Sequence, residues 1–253
     1  MRLLVDIGNT RVKVAVADRA GKIEPVAVAE GFDRELVADL LGRYAVGSAI
    51  LSSTRGATDK EERLLREAGL EVVRFDRSTP LPIAIDYRTP QTLGLDRVAA
   101  AVGAAVRYPG RNCLVVDLGT AMTLDLVSAD GVFRGGAISL GYSNRLRALN
   151  EYTATLPLCE PLMSGEESFP LQGKSTREAI EWGVFHSICF EIEGYQRRLE
   201  ADFADLCVIV TGGEAKYFEK QIKNAIFAEP NLVFCGLNRI LEHNLAKNAT
   251  TKK

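Results

Sequence analysis

The sequence has little with which to build a metal cluster or a histidine catalyst. Its only two histidines, His186 and His243, fall in helical patterns. Neither has a Ser, Cys or metal-type partner at motif spacing, so packing is their expected role. The five cysteines, at 113, 159, 189, 207 and 235, are scattered through mostly apolar contexts. No pair has metal-ligand spacing, and an odd count argues against a disulfide framework. They read as small core residues in a reducing cytoplasm. No apolar run reaches the roughly 18 residues of a membrane span. Basic blocks are missing except for the terminal Lys252-Lys253, and the net charge is −2, so nucleic-acid binding is not suggested. Met1-Arg2-Leu3 runs directly into a strand, so no signal peptide is expected. What remains is a chain of 253 residues, 47% hydrophobic and 25% charged, enough for one large domain or two lobes.

What is present is a repeat. Leu4-Val5-Asp6-Ile7-Gly8-Asn9-Thr10 precedes the alternating run Val12-Lys13-Val14-Ala15-Val16. Val115-Val116-Asp117-Leu118-Gly119-Thr120-Ala121 precedes Met122-Thr123-Leu124-Asp125-Leu126-Val127. Each reads as a buried strand ending in an acid, a tight Gly/Thr turn and a second strand, and the two acids lie close to half the chain apart. A duplicated hairpin of this kind points to a nucleotide held between two related lobes. Glycine lets backbone approach a ligand closely. Backbone N–H groups and the hydroxyls of Thr10 and Thr120 can donate to phosphate oxygens. The acids cannot bind phosphate, but they can hold a bridging cation directly or through water.

The first lobe, residues 1–110, is expected to run β-β-β-α-β-α-β: strands near 2–7, 11–18 and 23–29, a helix capped by Asp33, a strand at 49–53, a charged helix from Lys60 to Ala68, and a strand at 72–75. That order implies a mixed sheet with helices on its faces. The proline-rich segment from Pro80 to Pro90 is not helical, and an alanine-packed helix covers much of Thr92 to Tyr108. The second lobe, residues 111–253, repeats the pattern.

Between Ser175 and Phe203 lies the longest helical pattern. Ile180, Val184, Ile188 and Ile192 form one stripe, while Trp182, Phe185 and Cys189 occupy a second face. Core burial and a dimer contact are both open readings. Val208-Ile209-Val210-Thr211-Gly212-Gly213 is a strand entering a Gly pair, with a helix expected from Glu214 to Ile226. That arrangement suits an anion or a nearby nucleotide, and equally a plain tight turn. The final helix is expected from Gly236 to about Ala246.

An acid-Gly-Thr hairpin, a second one and a Thr-Gly-Gly turn, in that order, resemble the acetate and sugar kinase, Hsp70 and actin superfamily. Four segments resemble type III pantothenate kinases more narrowly: Asp6–Lys13, Tyr87–Arg97 (Tyr87-Arg88-Thr89-Pro90-Gln91-Thr92-Leu93-Gly94-Leu95-Asp96-Arg97), Asp117–Ala121 and Leu232–Leu237. The resemblance implies an α/β chain of two duplicated lobes of mixed β-sheet flanked by helices, actin-like and ribonuclease H-like, with the nucleotide in the interlobe cleft. It implies ATP-dependent phosphorylation of pantothenate to 4'-phosphopantothenate, the first step of coenzyme A biosynthesis. Asp6, Ile7, Gly8, Asn9, Thr10, Arg11, Val12 and Lys13 would line the ATP phosphates, with Asp6 at magnesium. Asp117 would serve a monovalent cation, potassium or ammonium, and Thr120 the ATP phosphates. Thr211, Gly212 and Gly213 would border the adenosine. Asp96 would be the general base, and Tyr87, Gly94, Leu95, Asp96 and Arg97 the pantothenate site. Thr176 would reach substrate from the neighbouring subunit of a homodimer. One departure is visible: Leu140-Gly141 stands where the family usually has Pro-Gly, which should alter loop rigidity and not chemistry.

The residues themselves fit phosphoryl transfer, which asks for a base beside a hydroxyl and for neutralised charge on the moving group. A kinase of another small molecule and a nucleotide-binding regulator are the competing readings.

Overall fold

The computed structural model describes residues 1–8, 10–56, 58–163, 169–222, 225–227 and 231–251. It divides into two compact units, Met1–Pro109 with Asn231–Lys253, and Gly110–Pro230.

In the first unit, β1 (Arg2–Ile7), β2 (Val12–Ala17), β3 (Ile23–Ala29), β4 (Ser48–Ser53) and β5 (Glu71–Arg74) form a sheet in the order β3-β2-β1-β4-β5. β1 pairs antiparallel with β2 and parallel with β4. A central strand covered on both faces should be apolar throughout, and Leu3, Leu4 and Val5 are fully buried. Odd positions Leu3, Val5 and Ile7 join one core cluster with Ala49, Leu51, Val37, Leu40 and Leu65, on the side of α1 (Arg34–Arg43) and α2 (Asp59–Glu67). Asp33 caps α1, accepting from the Leu36 N–H at 2.9 Å. Pro25 lies on edge strand β3, where its missing N–H costs no ladder bond.

The opposite face of this sheet is covered by α3 (Leu95–Arg107) and α6 (Leu232–Thr251). These helices cross at backbone contact. A Cβ on Gly236 would lie 1.8 Å from the Ala99 carbonyl oxygen, and one on Gly103 would lie 2.2 Å from that of Leu232. Ala99, fully buried at this contact, adds only a methyl group. This contact corrects two expectations. The last helix starts at Leu232, so Gly236 is a packing residue inside it and not its beginning. The C-terminal segment, expected in the second lobe, belongs to the first unit because the α3 seam offers its glycine a matching surface. The alanine-rich helix starts at Leu95, later than Thr92, because Pro90–Thr92 forms a separate 3-10 turn ahead of Gly94. A two-residue strand, β6, stands at Ala84–Ile85.

The second unit contains β7 (Cys113–Leu118), β8 (Ala121–Ser128), β9 (Val132–Leu140), β10 (Cys207–Thr211) and β11 (Ala225–Phe227), in the order β11-β10-β7-β8-β9. β7 pairs antiparallel with β8 and parallel with β10. Each unit therefore repeats one topology, with β7 matching β1, β8 matching β2 and β10 matching β4. Registers match as well. Asp6 stands opposite Lys13 and Ser52, and Asp117 opposite Thr123 and Thr211.

The core of this unit lies between the sheet and helices α4 (Tyr142–Glu151) and α5 (Thr176–Leu199). Ser175 caps α5 in a reciprocal box with Glu178, so Thr176 is the first helical residue and not the cap. The first apolar stripe of α5 and most of the second are buried inside the unit. Phe185 and Cys189 share the core of Ile180, Val184, Ile188 and Ile192, and Phe185 stacks on Phe218 at 4.9 Å. Trp182 is half-buried and Phe190 exposed. Burial pushes the thiols of Cys113 and Cys189 up to about 12, which suits inert packing residues. Among the described residues no helix is long and apolar enough to cross a membrane.

Candidate functional site

In the first unit the acid of the hairpin lies at the end of β1. Asp6 is half-buried, but its Oδ1 is sealed from solvent and has no hydrogen-bond partner. Burial raises its pKa to about 6. Lys13 across the hairpin pulls it back down, and Asp96 pushes it up. The structure thus brings Asp6, Lys13 and Asp96 within electrostatic reach. An inward carboxylate oxygen with no protein donor asks for one, such as an ordered water. The carboxylate as a whole is only half-buried, so a cation can still reach it directly or through water. Among the described residues no group of three or more His, Cys, Asp or Glu could hold a metal. Magnesium needs no such group, because it binds through one or two carboxylates together with substrate phosphates and water.

The turn after Asp6 is tight. Gly8 N–H donates to the Arg11 carbonyl at 3.0 Å, Ile7 and Val12 are buried, and Thr10, Arg11 and Lys13 are exposed. Asn9 lies outside the described residues. The turn is fastened to the neighbouring strand by Thr54, whose N–H donates to the Ile7 carbonyl at 3.0 Å.

Asp96 is in the first turn of α3, where Arg97 N–H donates to its Oδ1 at 2.9 Å. A Cβ on Gly94, the N-cap residue, would stand 2.4 Å from that oxygen, so glycine leaves the carboxylate its room. Arg97 is buried, with 7% of its surface exposed, and its guanidinium lies 5.9 Å from the centre of the Tyr87 ring. A cation over an aromatic face keeps its charge with little water around it. Leu95 is half-buried beside Asp96. A cavity of about 320 Å³ adjoins this turn. Its walls include Gly94, Leu95, Thr54, Arg74 and Arg77, but not Tyr87, Asp96 or Arg97.

In the second unit the equivalent acid, Asp117, is half-buried at the end of β7 beside buried Thr211. Gly212 has φ +97, and a Cβ there would meet the Leu118 carbonyl oxygen at 2.3 Å and Asp117 Oδ1 at 2.4 Å. Only glycine fits over that carboxylate. Gly213 is exposed with open space beside it, and Thr120 is exposed on its turn. The helix expected from Glu214 to Ile226 does not form. A 3-10 turn at Ala215–Tyr217 is followed by strand β11 at Ala225–Phe227, and residues 223 and 224 lie outside the described residues. The Gly pair therefore opens no helix N-terminus for an anion.

Glu214, which the sequence marks only as a helix start, makes tertiary contacts here. Its N–H donates to the Leu118 carbonyl at 2.9 Å. Its carboxylate accepts from Tyr142 N–H at 2.8 Å, Ser143 N–H at 3.2 Å and the Ser143 hydroxyl. It occupies the amides that start α4 and ties the Gly turn to them. No signal in the local pattern marks this, because the partners are about seventy positions away. The Leu140-Gly141 turn is held by Gly141 N–H to Thr120 O at 3.1 Å and by Arg145 to Leu140 O at 2.8 Å. Thr176 is exposed at the start of α5.

A family model described as type III pantothenate kinase matches residues 2–198. A type III pantothenate kinase from Phocaeicola vulgatus is 37% identical over 244 residues, covering 96% of this chain and 99% of its own. One from Bacteroides fragilis is 39% identical over 248 residues, covering 96% and 98%. Among solved structures, the activator of the 2-hydroxyisocaproyl-CoA dehydratase from Clostridium difficile, with bound ADPNP, matches with a TM-score of 0.53 at 10% identity, over 100% of this chain and 97% of that one. That likeness is one of fold alone, and it agrees with the two mixed-sheet units expected from the sequence.

Proposed function

Because the chain belongs to the type III pantothenate kinase family, we propose that it transfers the γ-phosphoryl group of ATP to pantothenate, giving 4'-phosphopantothenate in the first step of coenzyme A biosynthesis. The observation that carries the reading is the family match together with the constellation Tyr87, Asp96 and Arg97 at the start of α3.

Asp96 is the general base. One of its oxygens is engaged by the Arg97 N–H, so the other accepts the proton of the substrate hydroxyl as that oxygen attacks phosphorus. Arg97, poorly hydrated on the Tyr87 face, orients the substrate through its carboxylate or an amide carbonyl. The exposed Thr10 and Lys13, with the backbone of the Gly8 turn, hold ATP phosphates in the first unit; Thr120 does so in the second, and Thr211–Gly213 border the adenosine. Asp6 would hold magnesium, directly or through water, and the ion would supply neutralisation of the charge on the transferring phosphoryl group. Asp117 serves a monovalent cation, potassium or ammonium. The working form is a cytoplasmic homodimer in which Thr176 completes the partner's substrate site.

Purified protein given ATP, magnesium and pantothenate, with potassium or sodium at equal ionic strength, should form 4'-phosphopantothenate and do so faster in potassium. Turnover of a different small alcohol alone would make it a kinase of another substrate. Nucleotide binding without any transfer would make it a regulator.

A further inference from the structure

Among the described residues three buried side-chain polar atoms have no partner, all in the first unit: His243 Nε2 on α6 and, on neighbouring strands, Asp6 Oδ1 on β1 and Ser52 Oγ on β4. The last two are not scattered. Asp6 and Ser52 are register partners in a parallel pair, so their side chains leave the sheet on the same face, about 5 Å apart at the backbone. That face is the one covered by α3 and α6, since the odd-numbered neighbours Val5 and Leu51 belong to the cluster on the other side. Ser52 is fully buried. A buried hydroxyl and a buried carboxylate oxygen each lose the full cost of desolvation when unpaired, and two such atoms side by side are an unusual waste in a packed core. One group with a donor and an acceptor, set between them, satisfies both.

We infer that Ser52 is a positioning residue of the Asp6 site, its hydroxyl holding the inner oxygen of the Asp6 carboxylate through one ordered water and so setting how the carboxylate meets magnesium. The inference rests on the reading of Asp6 as the magnesium residue. Hydrogen-bonded partners of a metal-holding carboxylate govern its orientation, and losing one typically costs about 10–100-fold in metal affinity. The duplicated topology supports the role: the position matching Ser52 in the second unit is Thr211, another hydroxyl beside another hairpin acid.

The test is calorimetric titration of magnesium into the full-length protein with ADPNP, alongside ADPNP binding in EDTA. Ser52→Ala deletes a single oxygen. It should weaken magnesium binding about tenfold while metal-free ADPNP binding stays within about twofold. Ser52→Thr restores the hydroxyl, as at Thr211, and should recover magnesium affinity to within about threefold of the parent. Unchanged magnesium affinity in Ser52→Ala, with or without a rise in melting temperature from removing an idle hydroxyl, would overturn the inference. Equal loss in the Ala and Thr variants would also overturn it, leaving Ser52 as a space-filling residue. Asp6→Asn separates the two levels. If it leaves magnesium binding intact, the assignment of Asp6 fails and takes the inference with it. If it weakens binding and Ser52→Ala does not, only the inference fails.

Discussion

Gly236 of α6 and Ala99 of α3 meet so closely that a single methyl group on Gly236 would stand 1.8 Å from the Ala99 carbonyl oxygen. Backbone oxygen cannot swing aside as a flexible side chain can. Gly236→Ala should therefore push the helices apart and destabilise the protein by about 1–3 kcal/mol. Gly183→Ala, in α5 with nothing near its added Cβ, should be neutral or stabilising by up to about 1 kcal/mol. Urea unfolding of both variants checks the contrast. Equal effects would mean that the α3–α6 seam is not under this constraint.

Asp6 trades stability for function. Its carboxyl sits at about 6 in the folded chain against 3.8 in the reference state. The folded state holds the extra proton between those values, so stability falls as pH rises through that window and stays low above it. In metal-free, nucleotide-free buffer, Asp6→Asn should be more stable than the parent at about pH 7.5, by at most about 3 kcal/mol, and no more stable below about pH 4. Its magnesium-dependent turnover should collapse. Melting curves at the two pH values decide the first part, and a gain independent of pH would refute it.

Asp96→Asn keeps the shape of the α3 start and removes the proton acceptor. Turnover should fall by about 10²–10⁴ while pantothenate binding changes little. A loss smaller than about tenfold, with unchanged affinity, would reduce Asp96 to a positioning or structural role.

Gly212→Ala places a methyl group against Asp117 at a φ of +97, a conformation that alanine resists. If Asp117 serves the monovalent cation, this variant and Asp117→Asn should both lose the difference between potassium and sodium buffers. Rates compared at equal ionic strength test it, and retained potassium activation in both variants would move the cation elsewhere.

Thr176 is free of capping duty, since Ser175 caps α5. Mixing Asp96→Asn chains with Thr176→Ala chains should partly restore activity if each site draws Thr176 from the partner, because one site of the mixed dimer then carries neither defect. No recovery, in a sample shown by mass spectrometry to exchange subunits, would remove Thr176 from a shared site.

The sequence by itself determined what is written in contiguous residues. Both hairpins, the Asp33 and Ser175 helix starts, the alanine-rich helix and the Tyr87–Arg97 segment were legible because strand alternation, caps and tight turns depend on neighbours a few positions away. The motifs also gave the candidate site its residues, from Asp6 to Arg97. Tertiary structure alone decided where these pieces pack. Amphipathic spacing says that a helix has a buried face, but not what covers it. Leu232–Thr251 packs in the first unit, where Gly236 and Gly103 let two backbones touch, and α5 spends Ile180, Val184, Phe185, Ile188, Cys189 and Ile192 on the core of one unit while Trp182 stays half-buried. After Gly213 a helix was a reasonable local reading, yet Glu214 is committed to the amides of Tyr142 and Ser143. The pairing of Asp6 with Ser52 is likewise invisible in the chain, since register between β1 and β4 is set by the sheet and not by either strand.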